Sequence, residues 1–223
     1  MRIGIIGAGK AARTIARHML VNGHQIVIAN SRGPDTLADV IADLGDGAEA
    51  GTREDVLKTD LVILSVNWPD VQKAVEGLNW NGQILIDATN AHIDTPPDIS
   101  VEGVKRSRAA LSDRTSSEVV SELTPGARLV KSISNIPMEW IRDFSPNKPR
   151  TVLFTSGDDQ EAKRVVIDLL DSLGFKAIDL GSLAHGGALH DVGAPLSALS
   201  CTSLRPYDSY VGGGQTHCCC SFN

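Results

Sequence analysis

The sequence has no apolar run long enough to cross a bilayer; the longest runs, such as residues 61–66, are strand-sized against the roughly 20 residues that a span requires. Its start, Met1-Arg2-Ile3-Gly4-Ile5-Ile6-Gly7, lacks the long apolar stretch and small-residue cleavage site of a secretory leader, so the expectation is a cytoplasmic protein without membrane contact. Cysteine is missing before residue 201. Cys201, Cys218, Cys219 and Cys220 all fall at the far end, and no disulfide framework can hold the body of the chain. Positive charge is in deficit, with 21 Lys and Arg against 27 Asp and Glu, a net charge of −6. That balance argues against nucleic acid as a partner and makes any phosphate site local. Metal-ligand spacing is also absent among His18, His24, His92, His185, His190 and His217. Three adjacent thiols at 218–220 cannot all face one tetrahedral centre, so the expected metal content is none.

What is present is an ordinary globular composition, 42% hydrophobic and 22% charged over 223 residues, enough for one sizeable core. Residues 3–6 form a short β-prone run that ends in glycine, and residues 11–20 then place apolar side chains at helical spacing. Residues 25–29 are β-rich after the Asn22-Gly23 turn signal, which completes a βαβ unit within thirty positions. The alternation continues with a helix at 36–44, a strand at 61–66, a helix at 69–78 and a strand at 83–88. Residues 90–114 read as a long loop with a short strand near Gly103. A helix at 116–123, a strand at 128–132, a short helix at 137–144 and a strand at 151–155 follow. A helix at 161–173 stops at Gly174, and residues 175–180 give a last strand. Strands separated by helices predict an α/β fold with a doubly wound parallel sheet. The main domain is expected over 1–181. Residues 182–223 are read as a glycine-rich segment and tail, in which hydrophobic periodicity is lost beyond Ser200.

The chemistry is concentrated at strand ends. Gly7-Ala8-Gly9-Lys10-Ala11-Ala12 follows the first strand and opens the first helix. In that context Gly7 allows the tight turn, Gly9 lets backbone approach a pyrophosphate, and Ala12 is small enough for helix to pack closely on strand. A helix N-terminus supplies free amides and the positive end of a dipole to the phosphates. A dinucleotide site for NAD places a carboxylate about 20 residues beyond the glycines. Here the second strand ends in Asn30-Ser31-Arg32, with a hydroxyl and a guanidinium suited to a 2′-phosphate, so NADP is the expected cofactor. Ser65, Val66 and Asn67 close the 61–66 strand and Asn90 follows the 83–88 strand, positions that border the nicotinamide half. No Tyr-x-x-x-Lys signature is present, no catalytic acid is evident, and the catalytic residues stay unassigned. His92, two positions after Asn90, is either a proton donor or a loop bystander. Asp158 and Asp159 stand where acids cap a helix start.

Taken together, the glycine motif, Asn-Ser-Arg, Ile136-Pro137, Ser156-Gly157-Asp158-Asp159, Gly174-Phe175, Asp179-Leu180-Gly181 and Ala194-Pro195-Leu196 make the chain resemble the coenzyme F420-dependent NADP reductases over residues 2–197. It is also similar to the NADPH-binding domain of membrane metalloreductases. The resemblance implies a Rossmann domain that holds NADP against a deazaflavin or flavin acceptor, F420 or FMN/FAD, so that hydride crosses between two rings. It carries cofactor contacts to Gly7, Gly9, Ser31 and Arg32, beside the candidates Ala8, Lys10 and Ala11 of the same glycine turn, and it places Ser134, Asn135, Ile136 and Pro137 beside the reacting rings. Ser134 stands where some members have histidine. The resemblance further implies a homodimer and a small-molecule acceptor. Two alternatives stay open: an NADP-binding redox sensor without turnover, and an imine or carbonyl reductase.

Overall fold

The computed structural model describes residues 1–135 and 150–197, and the backbone of 200–203 and 219–221. The expected helix at 137–144 lies outside the described residues. In chain order the elements begin β1 (Arg2–Ile6), α1 (Lys10–Val21), β2 (Gln25–Ala29), α2 (Ala38–Leu44), β3 (Ala48–Ala50) and α3 (Arg53–Val56). They continue β4 (Leu61–Leu64), α4 (Val71–Val75), β5 (Ile84–Asp87), α5 (Val101–Ala109), α6 (Ser116–Leu123) and β6 (Arg128–Lys131). The chain then forms β7 (Arg150–Gly157), α7 (Gln160–Ser172), β8 (Lys176–Asp179), α8 (His185–His190), β9 (Ser200–Ser203) and β10 (Cys219–Ser221).

Along the sheet the order is β3-β2-β1-β4-β5-β6-β7-β9-β10, with β8 also on β7. All pairs from β3 to β6 are parallel, the 3-2-1-4-5-6 arrangement of a doubly wound dinucleotide-binding sheet. The strands alternate between two apolar layers, as a sheet covered on both faces must. Ile3, Ile5, Ile26, Ile28, Leu61 and Ile63 pack with α1 and α7 on one side. Ile6, Val27, Val62, Leu64 and Leu85 pack with α4 and α6 on the other. β7 departs from the expected all-parallel sheet, because it runs antiparallel to β6 through Val130↔Gly157 and Lys131↔Ser156.

The loop expected over 90–114 is corrected by α5. Its sequence, VEGVKRSRA, carries no apolar stripe because the buried residues are Gly103 and Ser107, small groups that periodicity does not register. Its end signals are nonetheless ordinary. Ser100 Oγ accepts from Gly103 N at 3.1 Å, Glu102 lies in the first turn, and Arg106 and Arg108 lie in the last. The glycine-rich segment contributes α8, whose Gly186 sits where a Cβ would come within 2.6 Å of Ser156 Oγ, so the glycine is there for close approach. Beyond it, β9 pairs with β7 and β10 with β9; edge pairing uses backbone groups and needs no hydrophobic period.

The motifs that carried the resemblance do structural work at this end of the sheet. Asp159 caps α7 by accepting from Ala162 N at 2.8 Å, and Asp158 accepts from Leu183 N at 3.1 Å. Asp179 takes the ammonium of the buried Lys163 at 3.0 Å, and Gly157 N donates to Gly181 O at 2.9 Å. Among the described residues, no helix is long and apolar enough to cross a membrane.

Candidate functional site

The sheet order reverses between β1 and β4, and a groove of about 1290 Å³ opens at the carboxyl ends of those strands. Its floor is the turn from β1 into α1. Gly7 donates its N–H to Ala29 O at 2.8 Å and has φ +123°, a conformation that glycine supplies readily. A Cβ there would also collide with the Ser65 carbonyl oxygen. Gly9 is the N-cap of α1, and nothing lies within 4 Å of where its Cβ would be. No side chain caps this helix and its first turn holds no acid, so the amides at its N-terminus face the groove. Ala12 is fully buried, as close packing of α1 on β1 demands.

The walls contain most of the residues singled out from sequence. Gly7, Ala8, Gly9, Lys10, Ala11, Asn30, Ser31, Ser65, Val66, Asn67 and Asn90 all line the groove. Asn30 builds the turn at the end of β2, donating to Thr36 Oγ1 at 2.9 Å and accepting from Arg32 N at 2.9 Å. Arg32 is exposed beside Ser31 but does not line the groove. Asn90 donates to Ser134 O at 3.0 Å, which fixes its side chain. Ser134 and Asn135 are buried behind this wall and do not line the groove. Asn135 Oδ1 accepts from Phe154 N at 3.3 Å, while its Nδ2 and Ser134 Oγ have no partner among the described residues. Ile136 and Pro137 lie outside the described residues.

Beside His92, which the sequence marks as a proton donor or a bystander, the groove is lined by residues that carry no motif. Arg53 reaches across from α3 to donate to the carbonyls of Lys73, Ala74 and Glu76 at the end of α4, at 2.9, 3.3 and 3.1 Å. At the opposite end the groove passes Thr89, His92, Asp94, Pro97 and Ile99. His92 is set by a tight turn, with its N–H on Asn90 O at 2.7 Å, and its Nδ1 is buried without a partner among the described residues. Burial lowers its pKa below 6.5, against the opposing fields of Asp191 and Asp94.

Behind Thr89 lies a buried charge cluster that residues far apart in sequence assemble. Lys131 and Asp87 are wholly buried, and Asp191 nearly so. The Lys131 ammonium donates to Ser116 Oγ at 2.9 Å and stands 3.8 Å from Asp87 and 3.9 Å from Asp191. Asp87 accepts from Thr89 N and Oγ1 at 2.9 and 2.6 Å and from the Ser117 hydroxyl. Asp191 accepts from Ser116 N and Oγ at 2.7 and 2.8 Å. His190 completes the group through Ser156 Oγ, 2.9 Å from its Nε2. Burial and then the Lys131 charge push His190 down from 6.5 to about 3.

Below pH 6.5 the unfolded chain protonates His190 while the folded chain resists until about pH 3. Acid therefore removes stability across that window, by about 1.4 kcal/mol per pH unit from this residue. His190→Gln should flatten this part of the stability curve in urea titrations between pH 6.5 and 4; an unchanged slope contradicts the assignment.

The family model described as NADP oxidoreductase, coenzyme F420-dependent, matches residues 2–91. Among solved structures, the hypothetical protein SMa0349 of Sinorhizobium meliloti is 36% identical with a TM-score of 0.79, covering 91% of this chain and 96% of its own. A protein provisionally assigned as an F420-dependent NADP reductase from Arthrobacter sp. FB24 is 24% identical with a TM-score of 0.64, covering 82% of this chain and 87% of its own. Among curated relatives, metalloreductase STEAP3 of Rattus norvegicus is 26% identical over 186 residues, 82% of this chain and 34% of the relative. The chain thus spans about a third of the length of the curated relatives that it matches. With the glycine turn, the sheet order and the groove in place, residues 2–91 belong to the domain family of coenzyme F420-dependent NADP oxidoreductases.

Proposed function

We propose that the groove binds NADP(H) and that the protein is an oxidoreductase that moves hydride between this cofactor and a small acceptor. The observation that carries the reading is the uncapped N-terminus of α1 behind Gly9, with open space where a pyrophosphate would contact backbone. The residues present fit the cofactor. Amides of the 7–12 turn would hold the pyrophosphate, Ser31 and Arg32 the 2′-phosphate end, and Asn67 and Asn90 the nicotinamide half. When bound, NADPH supplies the hydride; the chain supplies binding, orientation and exclusion of water.

The acceptor lies beyond Asn90, where the groove continues past His92 and Asp94. F420 comes first from the family's name, with FMN and FAD as analogous rings; an imine or small carbonyl is the other class. Purified protein incubated with NADPH and, separately, F420, FMN, FAD and 2-methyl-1-pyrroline is expected to consume nicotinamide absorbance with at least one of them. Tight binding of NADPH without consumption of any supports the redox-sensor reading instead.

Preference for NADP is tested at Arg32. The side chain is exposed next to Ser31, a lining residue, within reach of a 2′-phosphate that is absent from NAD. Arg32→Ala should weaken NADPH binding by about 1.5–3 kcal/mol, the size of a charge-assisted hydrogen bond, while NADH affinity is unchanged. Equal NADPH affinities for the two proteins remove Arg32 from the site.

A further inference from the structure

The end of the groove away from the glycine turn combines three features that the cofactor does not require. His92 lines the wall, its Nδ1 buried and without a partner among the described residues. Asp94, also lining the wall, is held by Arg106 at 3.0 Å, and Arg106 is fixed in turn by Asp98 at 2.9 Å. Pro97 and Ile99 add an apolar rim, with Ile99 79% exposed.

From this arrangement we infer that His92 is a catalytic residue which protonates the nitrogen of a small C=N acceptor, and that Asp94 favours the cation so formed. The inference rests on the NADP(H) reading above and narrows its acceptor to imines. An imine suits the site because protonation makes it a cation, which the lining carboxylate of Asp94 attracts, whereas F420, FMN and FAD carry acidic tails and accept hydride without such an acid. The small apolar rim suits alkyl substituents. In balance, the imine nitrogen takes the proton of the His92 imidazolium while the C=N carbon takes a hydride with its electron pair from NADPH. The products are an amine and NADP⁺, and water returns a proton to His92.

The charged groups that face His92 are Asp94 on its own loop and Asp191 after α8. Lys131 stands 3.9 Å from Asp191, and Arg106 bridges Asp94. Burial outweighs the two carboxylates, so the imidazolium fraction grows only as pH falls below the usual histidine range.

The test compares wild type with His92→Gln, using 2-methyl-1-pyrroline as the probe from pH 5.5 to 8.5. NADPH affinity, measured by fluorescence, should be the same in both proteins, which also shows that the variant folds. Wild-type kcat/KM should rise towards low pH. The variant should lose about 100-fold and the part of the pH dependence that wild type adds to the imine's own ionisation. Independently of turnover, 2-methylpyrrolidine added to NADP⁺-saturated wild type should shift the His92 ring resonance. Failure of NADPH to bind wild type overturns the cofactor reading. Binding without reduction of the pyrroline, or equal rates and profiles in the two proteins, or a His92 resonance that does not respond, overturns the assignment of His92 while leaving the cofactor reading intact.

Discussion

Gly7→Ala is expected to unfold or severely weaken the protein, whereas Gly9→Ala, two positions on, should leave the fold intact and weaken cofactor binding at least tenfold. Gly7 has φ +123°, and its Cβ would occupy the space of the Ser65 carbonyl oxygen on the neighbouring strand. Neither backbone can withdraw, because Gly7 N is tied to Ala29 O and Ser65 N to Ile6 O. Strain plus overpacking amounts to roughly 3–5 kcal/mol, comparable with the whole stability of a marginal domain. Gly9 differs in both respects. Its φ of −74° is open to any residue and its Cβ would meet nothing. Stability should stay within about 1 kcal/mol of wild type. The methyl group would instead stand where the pyrophosphate meets backbone, and NADPH affinity should fall at least tenfold, about 1.4 kcal/mol. Urea denaturation and fluorescence titration separate the two effects. A Gly9→Ala protein that binds NADPH like wild type would dismiss the turn as a phosphate cradle.

The second large effect is expected at Lys131. Its ammonium lies without solvent contact between Asp87 and Asp191, and Lys131→Met leaves two buried carboxylates without their cation. Loss of one partner from a buried ionic group costs about 3–5 kcal/mol, mostly as the penalty of the charges left behind. The origin of the loss is checked by combining Lys131→Met with Asp87→Asn and Asp191→Asn. Discharging the carboxylates should make the triple variant more stable than Lys131→Met alone. If the three losses simply accumulate in thermal unfolding, the cluster is held by packing and hydrogen bonds, and the electrostatic account fails.

The fold was legible where elements bury continuous apolar surface. Residues 25–29 and 116–123 were bounded from sequence as the structure has them, because Gln25–Ala29 is a buried β-rich run and Thr115 opens α6 with a capping box. Elements whose contacts are made by small residues were not legible. Gly103 and Ser107 bury α5, and Gly186 and Gly187 bury α8, so neither helix shows a stripe. The antiparallel turn of β7 leaves no mark in composition either. At the groove, local motifs marked the end around the first turn, since glycines, strand ends and a helix start are adjacent in sequence. The proposed acceptor end has Asn90, His92 and Asp94 on one short loop, and what folding alone supplies is the backing of Ser116, Lys131 and Asp191. Lys131 in particular reads as an unremarkable strand end until Asp87 and Asp191 are placed around it.

Arg53 has a bearing on how fast a nucleotide can be captured. By tying α3 to three carbonyls at the close of α4, it braces one wall against the other without help from any visitor. A mouth braced in this way loses little chain entropy on occupation, so association should be governed by encounter and desolvation, not by a slow closing movement.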